Sequence, residues 1–321
     1  MMESVIALLY SAQTIAIVPH VSPDGDAMGS ALALARALRM LGKQAIVTAG
    51  DPLPPDYAFL PDAERWLSPP PELPPQDVCI MVDVCSADRI GSARDVWDQA
   101  HARACIDHHK AMPEAEVTAF IDASSASCAQ LVLKVVDALG VSLDADMATL
   151  IFTGISTDTG HFMHANTAPA VFADAARLTV ASARVTEIAR RIYQERSLAK
   201  TRLLGAYLAS LQIYADGRIA CATLLRSDYD ACGAVDSDTE GLVNHGLAVR
   251  GVAVSVLARE ASPGSVRFNL RSLGPDVAAV CRQFGGGGHT RAAGCTLNGN
   301  IEAAIQTVLH AVTQALAEDA S

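Results

Sequence analysis

The chain reads as an α/β protein in two parts, an N-terminal domain with a largely parallel sheet joined by a helical linker to a smaller α/β domain. Three observations predict this. Short apolar runs such as TIAIVP, VCIMVD and ARACID alternate with helix-spaced stretches such as ALALARALRMLG, the pattern of parallel strands joined by crossover helices. From about residue 168 to 210 the pattern is helical throughout, and beyond 211 strand-like alternation resumes. With 321 residues, 50% hydrophobic and only 5% aromatic, the chain can bury two modest cores built mainly from Ala, Val, Leu and Ile. The boundaries follow as 1–185, 186–210 for the linker and 211–321.

Taken in order, MMESVIALLYS reads as a helix and TIAIVP as a first strand. Pro23 and Gly25 then force an irregular turn in HVSPDGD, in which Asp24 and Asp26 would point to one side of an extended loop. ALALARALRMLG has helical spacing with Gly42 as its C-cap, and KQAIVT is a second strand. The proline-rich segment 51–75 cannot be one helix and reads as a surface excursion. VCIMVD, ARACID and VTAFID are further strands, and SCAQLVLKVVDALG and DMATLIFTGI further helices. In the second domain Asp216-Gly217 between alternating runs predicts a hairpin. AVRGVAVSVLARE and SVRFNLRS read as paired strands, and PDVAAVCRQF and NIEAAIQTVLHAVTQALAE as helices.

The 24 Lys and Arg against 35 Asp and Glu give a net charge of −11, which argues against coating long nucleic acid through a broad basic surface but leaves small anions open. No run of about 18 apolar residues free of charge is present. The N-terminus carries Glu3 and no basic n-region, so the expectation is a cytoplasmic protein without a membrane partner. Eight cysteines are scattered without a CxxC pair and read as reduced core residues.

Four segments deliver acids or imidazoles at the ends of elements: His20, Asp24 and Asp26 after the first strand, Asp83 after VCIMV, Asp107, His108 and His109 at the end of ARACIDHH, and Asp158 in STDTGHF. Singly, such an Asp is ordinarily a cap and such a His a structural residue. Together they form a donor set for divalent cations, because borderline metals accept mixed nitrogen and oxygen ligands and open parallel sheets gather ligands at strand carboxyl ends. In the second domain Gly285 to Gly288, with Gly286, Gly287 and Gly288 preceding His289, can bring backbone amides close to an anion. Arg271 offers a bidentate fork and Ser272 a hydroxyl.

HVSPDGDAMGS, VDVCSADRIG, IDHH and GISTDTGHF, in this order, resemble the four motifs of the DHH phosphoesterase superfamily, and GGGGHTRAAG resembles the glycine signature of its associated C-terminal domain. The RSLG…GGGGH…AAG ending looks most like the bifunctional nanoRNase and 3′-phosphoadenosine-5′-phosphate phosphatases. The resemblance implies a two-metal centre in which His20, Asp24 and Asp83 hold one cation and Asp26, Asp83, His108 and Asp158 the other. Mn²⁺ is the implied metal, with Mg²⁺ or Co²⁺ as substitutes. Asp107 would orient a neighbouring imidazole, His109 would contact phosphate or protonate the leaving group, and Arg271, Ser272 and the GGGGH loop would bind substrate. The implied substrates are short single-stranded RNA and nucleotide bisphosphates, not duplex DNA, and a homodimer is compatible with the reading. A RecJ-type exonuclease, a dinucleotide phosphodiesterase and a non-catalytic nucleotide sensor are the alternatives. One departure stands out: Gln130 occupies a position where glutamate is expected.

Overall fold

The computed structural model describes residues 2–110 and 112–319 and divides into two compact units, Met1–Glu195 and Arg196–Ser321. In the first unit α1 (Met2–Ser11), β1 (Thr14–Pro19), α2 (Gly25–Met40) and β2 (Gln44–Thr48) are followed by β3 (Trp66–Leu67), β4 (Val78–Val82), α3 (Arg94–Gln99), β5 (Ala102–Asp107) and β6 (Thr118–Ile121). Helices α4 (Cys128–Ala138), α5 (Ala145–Asp158), α6 (Pro169–Val180) and the short α7 (Val185–Ile188) complete it, with a π-helical turn at Ala189–Gln194. All six strands are parallel, in the order β3-β2-β1-β4-β5-β6. Ile15 and Ile17 pack into a core with α2, α4 and α5, while Ala16 and Val18 face a second core with Met81, Ile90 and Trp97. Burial on both faces explains why these strands are continuously apolar, each fully buried Ile or Leu contributing roughly 1.5–3 kcal/mol. Strand order reverses between β1 and β4, the place where an open parallel sheet leaves a crevice for ligands.

The proline-rich segment departs from expectation. It is not wholly peripheral, since Trp66 and Leu67 add an edge strand to β2 and the buried Trp66 donates its indole N–H to the Asp51 carbonyl at 3.0 Å. Gly42 takes φ +78 just after the Leu41 cap, in the left-handed conformation that glycine supplies at least cost.

The second unit begins with α8 (Leu198–Ser210), whose Leu203 and Tyr207 pack with Ala222, Leu224 and Leu257. Its strands are β7 (Gln212–Tyr214), β8 (Ile219–Leu224), β9 (Val254–Ser262), β10 (Ser265–Ser272), β11 (Gly287–His289) and β12 (Ala292–Asn298), and its remaining helices are α9 (Arg226–Cys232), α10 (Asn244–Leu247), α11 (Val277–Arg282) and α12 (Ile301–Asp319). They form one sheet in the order β11-β12-β10-β9-β8-β7. The Asp216 hairpin joins β7 to β8 through three residues with positive φ, Ala215, Asp216 and Gly217. Only the β8–β9 pair is parallel. Helices α11 and α12 cover one face through Val277, Val280, Val308 and Val312. Among the described residues no helix is long and apolar enough to cross a membrane, and all eight cysteines are free, seven of them buried.

Candidate metal centre

Three loops at the carboxyl ends of β1, β4 and β5 and the end of α5 meet at the point of strand-order reversal. His20 follows Pro19 directly, and its Nδ1 lies 2.8 Å from the Val21 carbonyl oxygen. A carbonyl only accepts, so Nδ1 carries the proton of the neutral ring and Nε2 presents its lone pair toward Asp83 Oδ2 at 3.4 Å. His108 repeats this arrangement. Its Nδ1 faces the Ser125 carbonyl at 3.4 Å, and its Nε2 lies 3.4 Å from Asp83 Oδ1, 3.2 Å from Asp158 Oδ2 and 3.9 Å from Asp26 Oδ2. Imidazoles held from behind by a carbonyl are in the posture of metal ligands.

The two oxygens of Asp83 therefore face different imidazoles. Donor atoms of His20, Asp24 and Asp83 lie within 4.8 Å of one another, as do those of Asp26, His108 and Asp158 and those of Asp83, His108 and His109. Asp83 is 2% exposed, and its Oδ1 is buried without a hydrogen-bond partner, the condition expected of an oxygen whose partner is a cation. Among the described residues no lysine or arginine pairs with Asp26, Asp83 or Asp158. The donor set, buried Asp26 and Asp83 with half-buried Asp158, exposed Asp24 and imidazole nitrogens between them, fits divalent metal.

Asp24 and Asp26 are not in an extended loop. Asp24 is the N-cap of α2, its Oδ1 accepting from the amides of Asp26 and Ala27 at 3.0 Å each, and Asp26 lies in the first turn. A capping aspartate starts the helix at once despite Pro23, so the two side chains diverge. Asp26 is fully buried. Its carboxylate accepts from the Cys128 amide at 2.6 Å and the Ala129 amide at 2.9 Å, at the N-terminus of α4, and from Ser30 Oγ at 3.3 Å. Ser127 caps α4 and leaves these first-turn amides free for Asp26. The Ser127-to-Gln130 spacing carried this signal, but the roles of Ser30 and of the two amides were not anticipated.

Close helix packing brings Asp26 and Asp158 together. A Cβ on Gly29 would lie 2.4 Å from the Leu150 carbonyl, and one on Gly154 would lie 2.6 Å from Asp26 Oδ1. Gln130 is buried, its Oε1 accepting from the Ala126 amide at 2.9 Å and its Nε2 donating to Asp174 Oδ2 at 2.6 Å.

Burial and charge crowding perturb Asp26, Asp158 and His108. Burial, then Asp83, Asp158 and Asp24, push the Asp26 pKa well above the usual carboxylate range. Burial likewise raises Asp158 to about 6. Burial opposes charge on His108, but the adjacent carboxylates of Asp83, Asp158 and Asp26 prevail and, with no cation between them, raise its pKa to about 9. Asp107 stands apart from the cluster. Its Oδ1 accepts from the His109 amide at 3.1 Å and lies 2.8 Å from His109 Nδ1, and this bond above all raises the His109 pKa. The His109 side chain is half exposed.

In the second unit, Arg271 and the GGGGH loop line a groove of 570 Å³ together with Asn269 and Arg267, which were not anticipated. Ser272 does not join them. Successive strand residues face opposite sides, and Ser272 is buried with Phe268 and Leu270 beneath the sheet, its Oγ accepting from the Gly274 amide at 3.0 Å. Two of the glycines also have a packing role. A Cβ on Gly286 would lie 2.2 Å from the Gly294 carbonyl, and one on Gly288 2.5 Å from that of Ala292, so both are demanded by packing on β12. Nothing lies within 4 Å of a Cβ on Gly287, and His289 is exposed.

Residues 14–155 match the DHH family, N-terminal domain, and residues 231–318 match the DHHA1 domain. The chain is 38% identical over 305 residues to the bifunctional oligoribonuclease and PAP phosphatase NrnA of Thermus thermophilus, covering 94% of this chain and 90% of that protein. It is 25% identical over 288 residues to the protein of the same name from Bacillus subtilis, covering 88% and 89%. An exopolyphosphatase-related protein from Bacteroides fragilis, 26% identical, superposes with a TM-score of 0.86 over 98% of this chain and 95% of that one. The chain belongs to the DHH family of metal-dependent phosphoesterases, in the branch that joins an N-terminal DHH domain to a DHHA1 domain.

Proposed function

We propose that this protein is a two-metal phosphoesterase that hydrolyses short oligoribonucleotides to mononucleotides and 3′-phosphoadenosine-5′-phosphate to AMP. The observation that carries this reading is Asp83, a buried carboxylate whose Oδ2 faces His20 and whose Oδ1 faces His108. The names of the Thermus and Bacillus relatives support the substrate class.

His20, Asp24 and Asp83 would hold one cation, and Asp26, Asp83, His108 and Asp158 the other, with Mn²⁺ suited to the mixed donors and Mg²⁺ or Co²⁺ as substitutes. When bound, such a pair supplies an activated water and neutralises charge developing on the phosphoryl group. The Val21 and Ser125 carbonyls fix the tautomers of His20 and His108, so these rings enter the site with their lone pairs already directed. Asp107 fixes His109 by two contacts, leaving Nε2 of this half-exposed ring to meet a phosphate oxygen or hand a proton to the leaving oxygen. Arg271, Gly286, Gly287, Gly288 and His289 form the anion-binding element of the second unit, and Ser272 acts behind it by holding the Gly274 turn.

The test is turnover by the purified protein with Mn²⁺ on RNA dinucleotide, longer RNA, 3′-phosphoadenosine-5′-phosphate and pyrophosphate. Hydrolysis of the dinucleotide and the bisphosphate, abolished by chelator, with kcat/KM falling as RNA lengthens, is the expected result. A kcat/KM that rises with length, with long processive runs, would replace this reading by a RecJ-type exonuclease.

A further inference from the structure

Strand periodicity places Arg267, Asn269 and Arg271 on one face of β10, and the ladder sets Arg267 directly opposite Arg259 of β9. Like charges facing each other across a ladder destabilise a sheet. Arg259 is also 6% exposed, and its Nε is buried without a hydrogen-bond partner. Its one ion pair among the described residues is to Asp236, 3.6 Å away. The buried Tyr229 hydroxyl stands beside this guanidinium, yet Nε has no partner at hydrogen-bond distance, and an unused buried donor costs stability unless an acceptor arrives from outside. The space for one is present. Arg259 lines a hollow of 190 Å³ with Asn269, Arg271, Asp236, Ser237 and Glu240, and this hollow shares only Asn269 and Arg271 with the 570 Å³ groove.

The two hollows differ in chemistry. The larger is lined by arginines, glycine backbone and His289, all suited to a phosphate. The smaller mixes guanidinium and amide donors with the carboxylates of Asp236 and Glu240. A phosphate there would lie against two carboxylates. A nucleobase is neutral and carries acceptors and N–H donors along one edge, and it satisfies both sets at once. We propose that the 190 Å³ hollow is a nucleobase subsite, in which Arg259 donates to base acceptors, the rim carboxylates Glu240 and Asp236 accept base N–H groups, and Arg271 holds the adjoining phosphate. The assignment rests on the nucleotide-hydrolase reading above and adds to it the residues that recognise the base.

The experiment uses the full chain with Mn²⁺ and compares RNA dinucleotide with the same dinucleotide lacking one base, each end in turn. For the wild type, loss of the base at one end raises KM about tenfold, as expected for the loss of a charge-assisted hydrogen bond. Arg259→Lys keeps the charge but loses the guanidinium fork. It raises KM for the intact dinucleotide about tenfold with kcat little changed, and adds nothing on the substrate that lacks that base. Glu240→Gln, on the exposed rim, shifts KM the same way and carries the test if Arg259→Lys fails to fold. Equal losses on intact and base-free substrates would reduce Arg259 to a structural role. A lower KM for Glu240→Gln on both substrates would place a phosphate in the hollow, and either result overturns the proposal. A wild type that hydrolyses no nucleotide overturns the nucleotide-hydrolase reading itself, and this assignment falls with it.

Discussion

Replacing Gly154 with alanine sets two known effects against each other. Gly154 lies within α5, where alanine is favoured over glycine by up to about 1 kcal/mol. Its added Cβ would stand 2.6 Å from Ala129 Cβ and 2.6 Å from Asp26 Oδ1, whereas carbon contacts settle near roughly 3.5–4.0 Å. Neither neighbour is the free end of a flexible chain, so α5 must move away from α2 and α4 or the Asp26 carboxylate must leave the α4 amides. Overpacking of this kind costs about 1–3 kcal/mol. Displacing Asp26 forfeits charge-assisted bonds of about 1.5–3 kcal/mol each. The net loss is about 1–3 kcal/mol, a fall in melting temperature of roughly 2–10 °C for a unit of this size. Activity should fall further, on the order of a hundredfold, because a shift of about 1 Å at a positioned ligand is enough to do so. Thermal melts and kcat on RNA dinucleotide with Mn²⁺ measure both effects. Gly205→Ala is the control, since Gly205 lies in α8 with nothing within 4 Å of an added Cβ and should gain stability without losing activity. A Gly154→Ala protein that melts at or above the wild-type temperature and retains full turnover would refute the argument.

Asp83→Asn tolerates the same backbone bend and should abolish turnover on every substrate, so metal-dependent activity above about one per cent of wild type would remove Asp83 from its shared position. Arg271→Ala should raise KM for dinucleotide and 3′-phosphoadenosine-5′-phosphate about tenfold or more while sparing an activated aryl phosphodiester, because the contact proposed for it is to a phosphate other than the one hydrolysed. Ser272→Ala, on the opposite face, should cost about 1 kcal/mol in urea melts and leave KM unchanged. Gln130→Glu would bring a buried carboxylate against Asp174 where a donor now stands, lowering stability by about 1–3 kcal/mol. Asp174→Asn in the same protein should restore most of that loss, and a double variant as unstable as the single would sink the explanation.

Much of the first unit was legible because parallel strands buried on both faces leave uninterrupted apolar runs, and the acids and imidazoles stand at the ends of those runs. The β3 edge was not, since Trp66 and Leu67 are too short a pair to show alternation. Pro23 and Gly25 suggested a loop, yet an aspartate just before an apolar helical pattern is itself a helix start, and Asp24 acts as one. Arg271 and Ser272 were grouped as neighbours in sequence, although the two-residue period of a strand separates them onto opposite faces. The contacts of Asp26 with the α4 amides were beyond sequence reading, because they join residues 102 and 103 positions apart. The parallel β8–β9 pairing likewise depends on a long connection and not on local pattern.

Asp83 takes φ +60, a left-handed conformation that costs a non-glycine residue roughly 1–3 kcal/mol, and its amide donates to the Ile106 carbonyl at 3.0 Å. That bond ties the exit of β4 to β5 at the level where the donor atoms begin. The bend cannot relax by fraying, because release of this one residue requires β4 and β5 to separate in the middle of the sheet. Amide hydrogen exchange at Asp83 should therefore proceed only through large-scale opening, as slowly as at Ile80 or Ile106. A surface loop at this position could give up its ligands in small local excursions, whereas this strand end keeps them until the domain itself unfolds.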